Sequence, residues 1–138
     1  MPDYGTFPRR ILIVDDEATL IFFLQQSLQE SGHNFIIDVA HCGDDALGKL
    51  TSTTYDLLIT DLKMPDITGF TLVEVARSLQ PNIKVILMTA FGSYDVQTEV
   101  KELSVDGYLT KPFPTAQLRD LTENLFATSN KSLLAHPG

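Results

Sequence analysis

The sequence predicts a single doubly wound α/β domain, in which a parallel β-sheet carries helices on both faces. Three observations support this fold class. Short apolar segments alternate with amphipathic helical segments five times along the chain. The strand segments are apolar almost throughout, which is typical of strands buried on both faces. A length of 138 residues and an apolar fraction of 43% suit one domain with one sizeable core.

Five segments are predicted to be strands, because each is short, rich in Ile, Leu and Val, and bounded by polar or turn-forming residues. Helical stretches and not tight turns separate them, which favours parallel pairing and crossover helices on both faces of the sheet. In chain order, the predicted strands are residues 11–14, 35–40, 56–60, 84–89 and 107–110.

Each strand is followed by a predicted helix, because apolar side chains recur three or four positions apart, the spacing of one helix face. Residues 31–34 end the first helix, residues 80–82 end the third, and Pro112 and Pro114 precede the fifth. The apolar stripes are Leu20, Ile21, Leu24 and Leu28; Ala46, Leu47 and Leu50; Leu72, Val75, Ala76 and Leu79; Val96, Val100 and Leu103; and Leu118, Leu121 and Leu125.

The same patterns divide the chain into three parts. Residues 1–8 contain two prolines and a glycine and are predicted to be a flexible N-terminal extension. Residues 9–127 hold all five βα units and form the domain. Residues 128–138 are predicted to be a polar C-terminal tail or the stub of a linker.

Charge and composition exclude several classes of function. Ten Lys and Arg against eighteen Asp and Glu give a formal net charge of -8, which disfavours direct nucleic acid binding by this chain. The single cysteine, Cys42, excludes an internal disulfide and a cysteine-based zinc site. No apolar run is long enough for a membrane span or a signal peptide, so we expect a cytoplasmic protein.

Polar side chains gather where the predicted strands end. The carboxyl ends of parallel strands meet at one edge of the sheet, and ligands of open α/β sheets bind there. These residues are Asp15, Asp16 and Glu17 after the first strand, Asp61 after the third, Thr89 at the end of the fourth and Lys111 after the fifth.

This combination of groups predicts a metal-assisted phosphoryl site. Several carboxylates at one edge repel each other unless a cation joins them, and all-oxygen ligands favour magnesium, manganese or calcium over zinc. Magnesium fits best, because it is held by few carboxylates and completes its shell with water and phosphate oxygens. Lys111 and Thr89 can each bind a phosphoryl oxygen, while a carboxylate attacks phosphorus. The site can therefore form an aspartyl phosphate.

A simpler interpretation exists for each residue taken singly. An aspartate after a strand commonly caps the next helix, and this explains Asp15 or Asp16 alone about as well as metal binding does. Helix capping does not explain polar residues at four strand ends. His41 and Cys42 lie on the neighbouring loop, and without further ligands they are assigned no chemistry.

Four segments together resemble the receiver domain of two-component response regulators over about residues 9–127. They are ILIVDDE at 11–17, LITDLKMPDITGF at 58–70, VILMTA at 85–90 and GYLTKPF at 107–113. The resemblance implies a flavodoxin-like three-layer sandwich with the parallel strand order 2-1-3-4-5. It also implies that the chain is a signalling switch and not an enzyme that turns over a substrate.

The resemblance further implies a role for each matching residue at the metal and acceptor positions. Asp61 would be the phosphoacceptor. Asp16 would bind Mg²⁺ directly, Asp15 would bind it mainly through water, and Asp61 and the backbone carbonyl of Lys63 would complete the protein ligands.

The remaining site residues would bind the phosphoryl group or respond to it. Lys111 would pair with the phosphoryl group or, before phosphorylation, with Asp61. Thr89 would donate a hydrogen bond to a phosphoryl oxygen, and Tyr108 matches the aromatic switch position of the family. The Lys111–Pro112 peptide bond is expected to be cis, because the resemblance implies it and a tight turn must direct Lys111 over the strand ends.

On this basis the expected partner is a histidine kinase or a histidine phosphotransfer protein, which passes the phosphoryl group from its phosphohistidine to Asp61. Phosphorylation would change the surface of the fourth helix, fifth strand and fifth helix, which a downstream effector or a second copy could bind. Lys63 and Phe91 would overhang the path of the attacking water and slow hydrolysis of the acyl phosphate.

Two other classes fit the sequence less well. A haloacid-dehalogenase-like phosphatase also forms an aspartyl phosphate with magnesium, but it needs Asp-x-Asp after the first strand and a cap insertion, whereas this chain reads Asp15-Asp16-Glu17. A flavodoxin-like electron carrier expects a loop rich in Ser, Thr and Gly after the first strand. The acidic loop found here would repel the flavin phosphate.

Overall fold

The computed structural model describes residues 8–90 and 103–135. A five-stranded parallel sheet has the order β2-β1-β3-β4-β5, as predicted. The strands are β1 (Arg9–Val14), β2 (Phe35–Ala40), β3 (Leu57–Asp61), β4 (Lys84–Thr89) and β5 (Gly107–Thr110). The helices are α1 (Ala18–Gln29), α2 (Gly43–Ser52), α3 (Gly69–Leu79) and a C-terminal helix (Thr115–Ala135).

Side chains alternate between the two faces of the sheet and form two hydrophobic cores. Leu12 and Leu58 lie in the core that α2 and α3 cover, together with Leu50 and Leu72. Their chain neighbours Ile11, Ile13, Leu57 and Ile59 lie in the opposite core, which α1 and the C-terminal helix cover with Leu24, Leu28, Leu118 and Phe126. The predicted doubly wound, three-layer architecture is therefore confirmed.

Two strands differ slightly from their predicted limits. β1 begins earlier than predicted, because Arg9 and Arg10 already pair with the first residues of β2. β3 begins at Leu57 and continues through Asp61, because Asp61 pairs in register with Met88 of β4. Asp61 is consequently the last residue of a buried strand and not the first residue of a loop.

The helices differ from prediction at the end of the chain. Val96 and Val100, which define the predicted fourth helix, lie outside the described residues. The C-terminal helix continues past residue 127 to Ala135, through much of the predicted tail. Thr128, Ser129 and Asn130 are polar, weak helix formers, which predicts that the helix ends before them. The backbone nevertheless remains helical through these residues. Within residues 8–90 and 103–135, no helix is long and apolar enough to cross a membrane.

The register places the predicted functional residues at one edge. Val14 pairs with both Ala40 and Thr60, so β1, β2 and β3 end at about the same level. Thr89 pairs with Thr110, which aligns the ends of β4 and β5. The chain segments that leave these strands therefore meet above the carboxyl edge of the sheet.

Candidate functional site

Three carboxylates meet above the ends of β1 and β3. Asp15, Asp16 and Asp61, hereafter the acidic cluster, can each offer one oxygen so that the three atoms lie within 4.8 Å of one another. Asp15 is fully buried and Asp61 is 7% exposed, whereas Asp16 is exposed. The structure thus brings together the three aspartates that the sequence predicted as metal ligands.

Asp15 is held by hydrogen bonds on its backbone and on both carboxylate oxygens. Its backbone N–H donates to Ala40 O at 3.1 Å, which extends the pairing of β1 with β2. Oδ1 accepts from the Glu17 N–H at 2.8 Å, and Oδ2 accepts from Lys111 Nζ at 2.9 Å. Burial raises the pKa of the Asp15 carboxyl, and these two hydrogen bonds offset only part of that shift.

The Lys111 ammonium lies at the centre of the site. Nζ donates to Asp15 Oδ2 at 2.9 Å, to Glu17 Oε1 at 3.2 Å and to Asp61 Oδ2 at 3.2 Å. Burial by itself lowers the pKa of Lys111, but these carboxylates more than reverse that effect and raise it above its usual value. Lys111 therefore carries its charge at neutral pH beside the acidic cluster.

The backbone around Lys111 directs its side chain over the strand ends. The Lys111 N–H donates to Thr89 O at 2.7 Å, which continues the pairing of β5 with β4 beyond Thr110. The Lys111–Pro112 peptide bond is cis, so this prediction is confirmed. The chain then enters the C-terminal helix at Thr115.

Thr89 and Tyr108, the residues predicted to respond to phosphorylation, lie on adjacent strands. Thr89 is fully buried at the end of β4. Tyr108 is half-buried in β5, pairs in register with Leu87 and packs against the core under α2 and α3. Phe91, predicted to shield the acyl phosphate, lies outside the described residues.

The loop between β3 and α3, residues 62–68, is held by hydrogen bonds at its two ends. Gly69 N donates to Leu62 O at 2.7 Å, and Thr68 caps α3 by accepting from Thr71 N. A Cβ on Gly69 would lie 2.4 Å from Asp61 O, so only glycine permits this close approach. Lys63, whose carbonyl is the predicted metal ligand, has an exposed side chain in this loop.

Asp66 fastens the same loop to the start of α2. Its carboxylate accepts from Gly43 N at 3.0 Å and from Asp44 N at 2.7 Å, which satisfies N–H groups that the helix itself leaves unpaired. These backbone hydrogen bonds lower the pKa of Asp66. The loop after β3 is therefore held against a neighbouring helix and beside the acidic cluster.

Sequence reasoning did not predict three of these contacts. Glu17 is one of the acidic residues after β1, and nothing in the sequence indicates its pairing with Lys111. Asp66 and Gly69 lie inside the motif that carries the resemblance, yet spacing alone does not show which backbone atoms they meet.

The chemistry of the site follows from its donor atoms. Among the described residues the potential metal ligands of this cluster are carboxylate oxygens, which suit a hard divalent cation such as Mg²⁺. A charged lysine and a strand-end threonine beside them can bind the oxygens of an anion. The arrangement is suited to a phosphoryl group carried on a carboxylate.

A five-stranded doubly wound sheet with these groups at its carboxyl edge defines one class of protein. The family model of the response regulator receiver domain matches residues 11–123 of this sequence. The chain belongs to this family, the receiver domains of two-component response regulators.

Individual relatives agree with this assignment. The transcriptional regulatory protein CusR of Escherichia coli is 35% identical over 109 residues, which are 79% of this chain and 47% of CusR. PrrA of Mycobacterium leprae is 33% identical over 116 residues, which are 84% of this chain and 49% of PrrA. The chain spans about half the length of these curated relatives.

Solved structures show the same fold. A CheY-like receiver domain of Methanospirillum hungatei superimposes with a TM-score of 0.83 at 27% identity, covering 91% of this chain and 99% of that chain. The response regulator TrrA of Thermotoga maritima, solved in complex with Mg(2+)-BeF, gives a TM-score of 0.74 at 36% identity. That superposition covers 85% of this chain and 98% of TrrA.

Proposed function

We propose that this receiver domain accepts a phosphoryl group on Asp61 from the phosphohistidine of a histidine kinase or histidine phosphotransfer protein. The observation that carries the proposal is the Lys111 ammonium, which bridges buried Asp15 and Asp61 at 2.9 and 3.2 Å beside the acidic cluster. Asp61 is the last residue of β3, and 7% of its surface is exposed.

The acidic cluster fits a magnesium ion, since three carboxylate oxygens lie within 4.8 Å of one another. Asp16 would bind the ion directly, Asp15 mainly through water, and Asp61 and the Lys63 carbonyl would complete the protein ligands. Mg²⁺ bound there would offset negative charge on the phosphoryl oxygens. The complex of TrrA with Mg(2+)-BeF supports this proposal for a relative that is 36% identical.

The chemical step is a direct transfer between two side chains. An Asp61 carboxylate oxygen attacks phosphorus and forms an O–P bond while the N–P bond of the phosphohistidine breaks. The imidazole leaves with the electron pair of the broken bond and takes up a proton. Lys111 offsets the charge on the phosphoryl oxygens, and the Thr89 hydroxyl donates a hydrogen bond to one of them.

Intact-mass measurement with a small phosphodonor such as acetyl phosphate tests this function. With Mg²⁺ present, we expect the mass of one phosphoryl group to be added. Chelating the magnesium should abolish the addition, because the like-charged cluster cannot accept a dianion without a cation. Equal labelling in chelator would contradict the magnesium-dependent mechanism.

The proposed output is a change in the surface formed by the predicted fourth helix, β5 and the C-terminal helix. A downstream effector or a second copy of the chain would bind this surface after phosphorylation. A net charge of -8 disfavours direct nucleic acid binding by this chain, so the output would pass through protein contacts. We also propose that the protein acts in the cytoplasm.

Thr89→Ala should separate phosphorylation from signalling. The variant is expected to take up the phosphoryl group but to transmit the signal poorly. In the natural protein the Thr89 hydroxyl would follow the phosphoryl group and leave space for Tyr108 to turn. NMR shifts across residues 93–113 should therefore change less on phosphorylation than in the natural protein. Thr51→Ala, on the exposed surface of α2, is the control. Equal shift changes in Thr89→Ala and the natural protein would refute this coupling.

The acyl phosphate on Asp61 is expected to hydrolyse slowly. Neither Lys63 nor Phe91 offers a carboxylate or an amide that could orient the attacking water. Changing both, Lys63→Asn with Phe91→Glu, should accelerate decay by on the order of tenfold, or ~1.4 kcal/mol of barrier. The rate is measured in Mg²⁺ after the donor is removed, and each single variant gives the contribution of its side chain. An unchanged or slower rate in the double variant would exclude these side chains as determinants of lifetime.

A further inference from the structure

The loop after β3 is fastened both within its own layer and to a separate helix. Leu62 N donates to Met88 O at 2.9 Å, and Gly69 N donates to Leu62 O at 2.7 Å, so the two ends of the loop are fixed beside the sheet. Lys63, whose carbonyl is the proposed magnesium ligand, follows the first of these contacts. Asp66, three residues further along, ties the loop to the start of α2.

The Asp66 carboxylate uses both of its oxygens. Oδ1 accepts from Gly43 N at 3.0 Å and from Ile67 N at 3.0 Å, and Oδ2 accepts from Asp44 N at 2.7 Å. Two of these donors belong to the first turn of α2, and the third belongs to the loop itself. One side chain therefore fixes the helix backbone and the loop backbone relative to each other.

The start of α2 depends on this loop for its cap. The residue before the helix is Cys42, and among the described residues its side chain makes no capping hydrogen bond. A carboxylate from a distant part of the chain replaces the local acceptor that most helices use. Ile67 also packs toward the same helix, since a Cβ on Gly43 would lie 2.2 Å from Ile67 Cγ1. The loop and the first turn of α2 thus form one packed unit.

We infer that Asp66 is a positioning residue for the magnesium site: by fastening the loop to α2, it holds the Lys63 carbonyl in position for the ion. A backbone carbonyl has no rotamer of its own, so its direction is set by the chain on both sides of it. Leu62 fixes the chain before Lys63, and Asp66 limits its freedom after Lys63. Groups that orient a metal ligand commonly contribute to metal affinity. This inference rests on the magnesium site of the proposed function.

The coupling must act in both directions. If the fastened loop binds Mg²⁺ more tightly, then bound Mg²⁺ favours the fastened loop by the same free energy. The Gly43 and Asp44 N–H groups, which donate to Asp66, should therefore exchange with water more slowly when Mg²⁺ is present. A carboxylate that only capped α2 would protect them equally with and without Mg²⁺.

The first measurement is the affinity for Mg²⁺ alone, obtained by NMR titration without a phosphodonor. Asp66→Ala removes all three hydrogen bonds and should raise the Kd for Mg²⁺ by about tenfold. Asp66→Asn retains one oxygen that can accept from α2, so its Kd should lie between those of Asp66→Ala and the natural protein.

Asp45→Ala is the matched control for this titration. It removes one negative charge from the first turn of the same helix and breaks the ion pair with Lys49 at 2.8 Å. It leaves the hydrogen bonds of Asp66 in place, so its Kd for Mg²⁺ should equal that of the natural protein. The comparison separates the anchoring of the loop from the loss of charge and from a weaker α2.

The second measurement is amide hydrogen exchange with and without Mg²⁺. In the natural protein, Mg²⁺ should slow exchange at Gly43 and Asp44 but not at Thr53, whose N–H donates to Lys49 O at the other end of α2. In Asp66→Ala, Mg²⁺ should have no effect at Gly43 and Asp44. The measurement on the natural protein needs no variant and so does not depend on how well a variant folds.

The outcomes separate the inference from the proposed function. If the natural protein binds Mg²⁺ but Asp66→Ala binds it as tightly as Asp45→Ala does, the inference is wrong and the magnesium site stands. The inference is also wrong if Mg²⁺ leaves exchange at Gly43 and Asp44 unchanged in the natural protein. If the natural protein binds no Mg²⁺, the magnesium-dependent function fails, and the role of Asp66 fails with it.

Discussion

Asp61→Asn is expected to reduce phosphorylation to an undetectable level. The amide has nearly the same shape as the carboxylate but lacks the negative charge and nucleophilic oxygen that attack phosphorus. The variant should remain folded, because the change removes one of three close carboxylates and leaves Lys111 its contact with buried Asp15. Intact mass after incubation with acetyl phosphate and Mg²⁺ measures the effect.

Asp120→Asn provides the matched control for this loss. Asp120 lies on the C-terminal helix with a side chain 68% exposed, so the same chemical change should leave phosphorylation at the natural level. A phosphorylated Asp61→Asn protein would show that another residue is the acceptor. Peptide mapping of the labelled natural protein would then identify it.

Gly69→Ala is expected to destabilise the protein by about 2 to 3 kcal/mol and to slow phosphorylation. Its new Cβ would lie 2.4 Å from Asp61 O and 2.9 Å from Leu62 Cα, both backbone atoms that cannot move aside as a flexible side chain can. The loop after β3 would have to shift, and it carries the predicted Lys63 carbonyl ligand. Urea unfolding gives the stability change, and uptake from acetyl phosphate gives the rate.

Gly48→Ala tests whether the effect of Gly69→Ala comes from this contact. Gly48 lies inside α2, and a Cβ there would meet no atom within 4 Å. The same substitution should therefore stabilise the protein by about 0.5 to 1 kcal/mol, because alanine favours a helix interior. If both variants had equal stability, the close approach at Gly69 would not be what requires a glycine.

The fold could be predicted from the sequence because its signals are local. Buried strands such as Ile11–Val14 must be apolar on both faces, and the helices between them carry one apolar stripe each. Parallel pairing then places the carboxyl ends of the strands at one edge. Asp15, Asp61 and Lys111 can therefore be expected at the same edge without any knowledge of distances. The strand order came from the family resemblance and not from the pattern itself.

Local patterns were less informative where a contact joins distant parts of the chain. Glu17 and Lys111 are 94 residues apart, and nothing in either neighbourhood indicates their hydrogen bond. Asp66 and Gly43 are 23 residues apart, and their contact depends on how the loop after β3 meets α2. The C-terminal helix also continues through residues 128–130, although their intrinsic helix preference is weak.

The sequence by itself determined the βα order, the strands and the set of polar residues at one edge, because each depends on side chains that are neighbours in the chain. Only the tertiary structure decided that Lys111 engages three carboxylates, that Glu17 is the exposed one among them, and that Gly69 lies against Asp61 O. The physical reason is that hydrogen bonds and steric contacts form or fail when the distance between two atoms changes by a few tenths of an ångström. Those distances are set only when the sheet register and the loops come together.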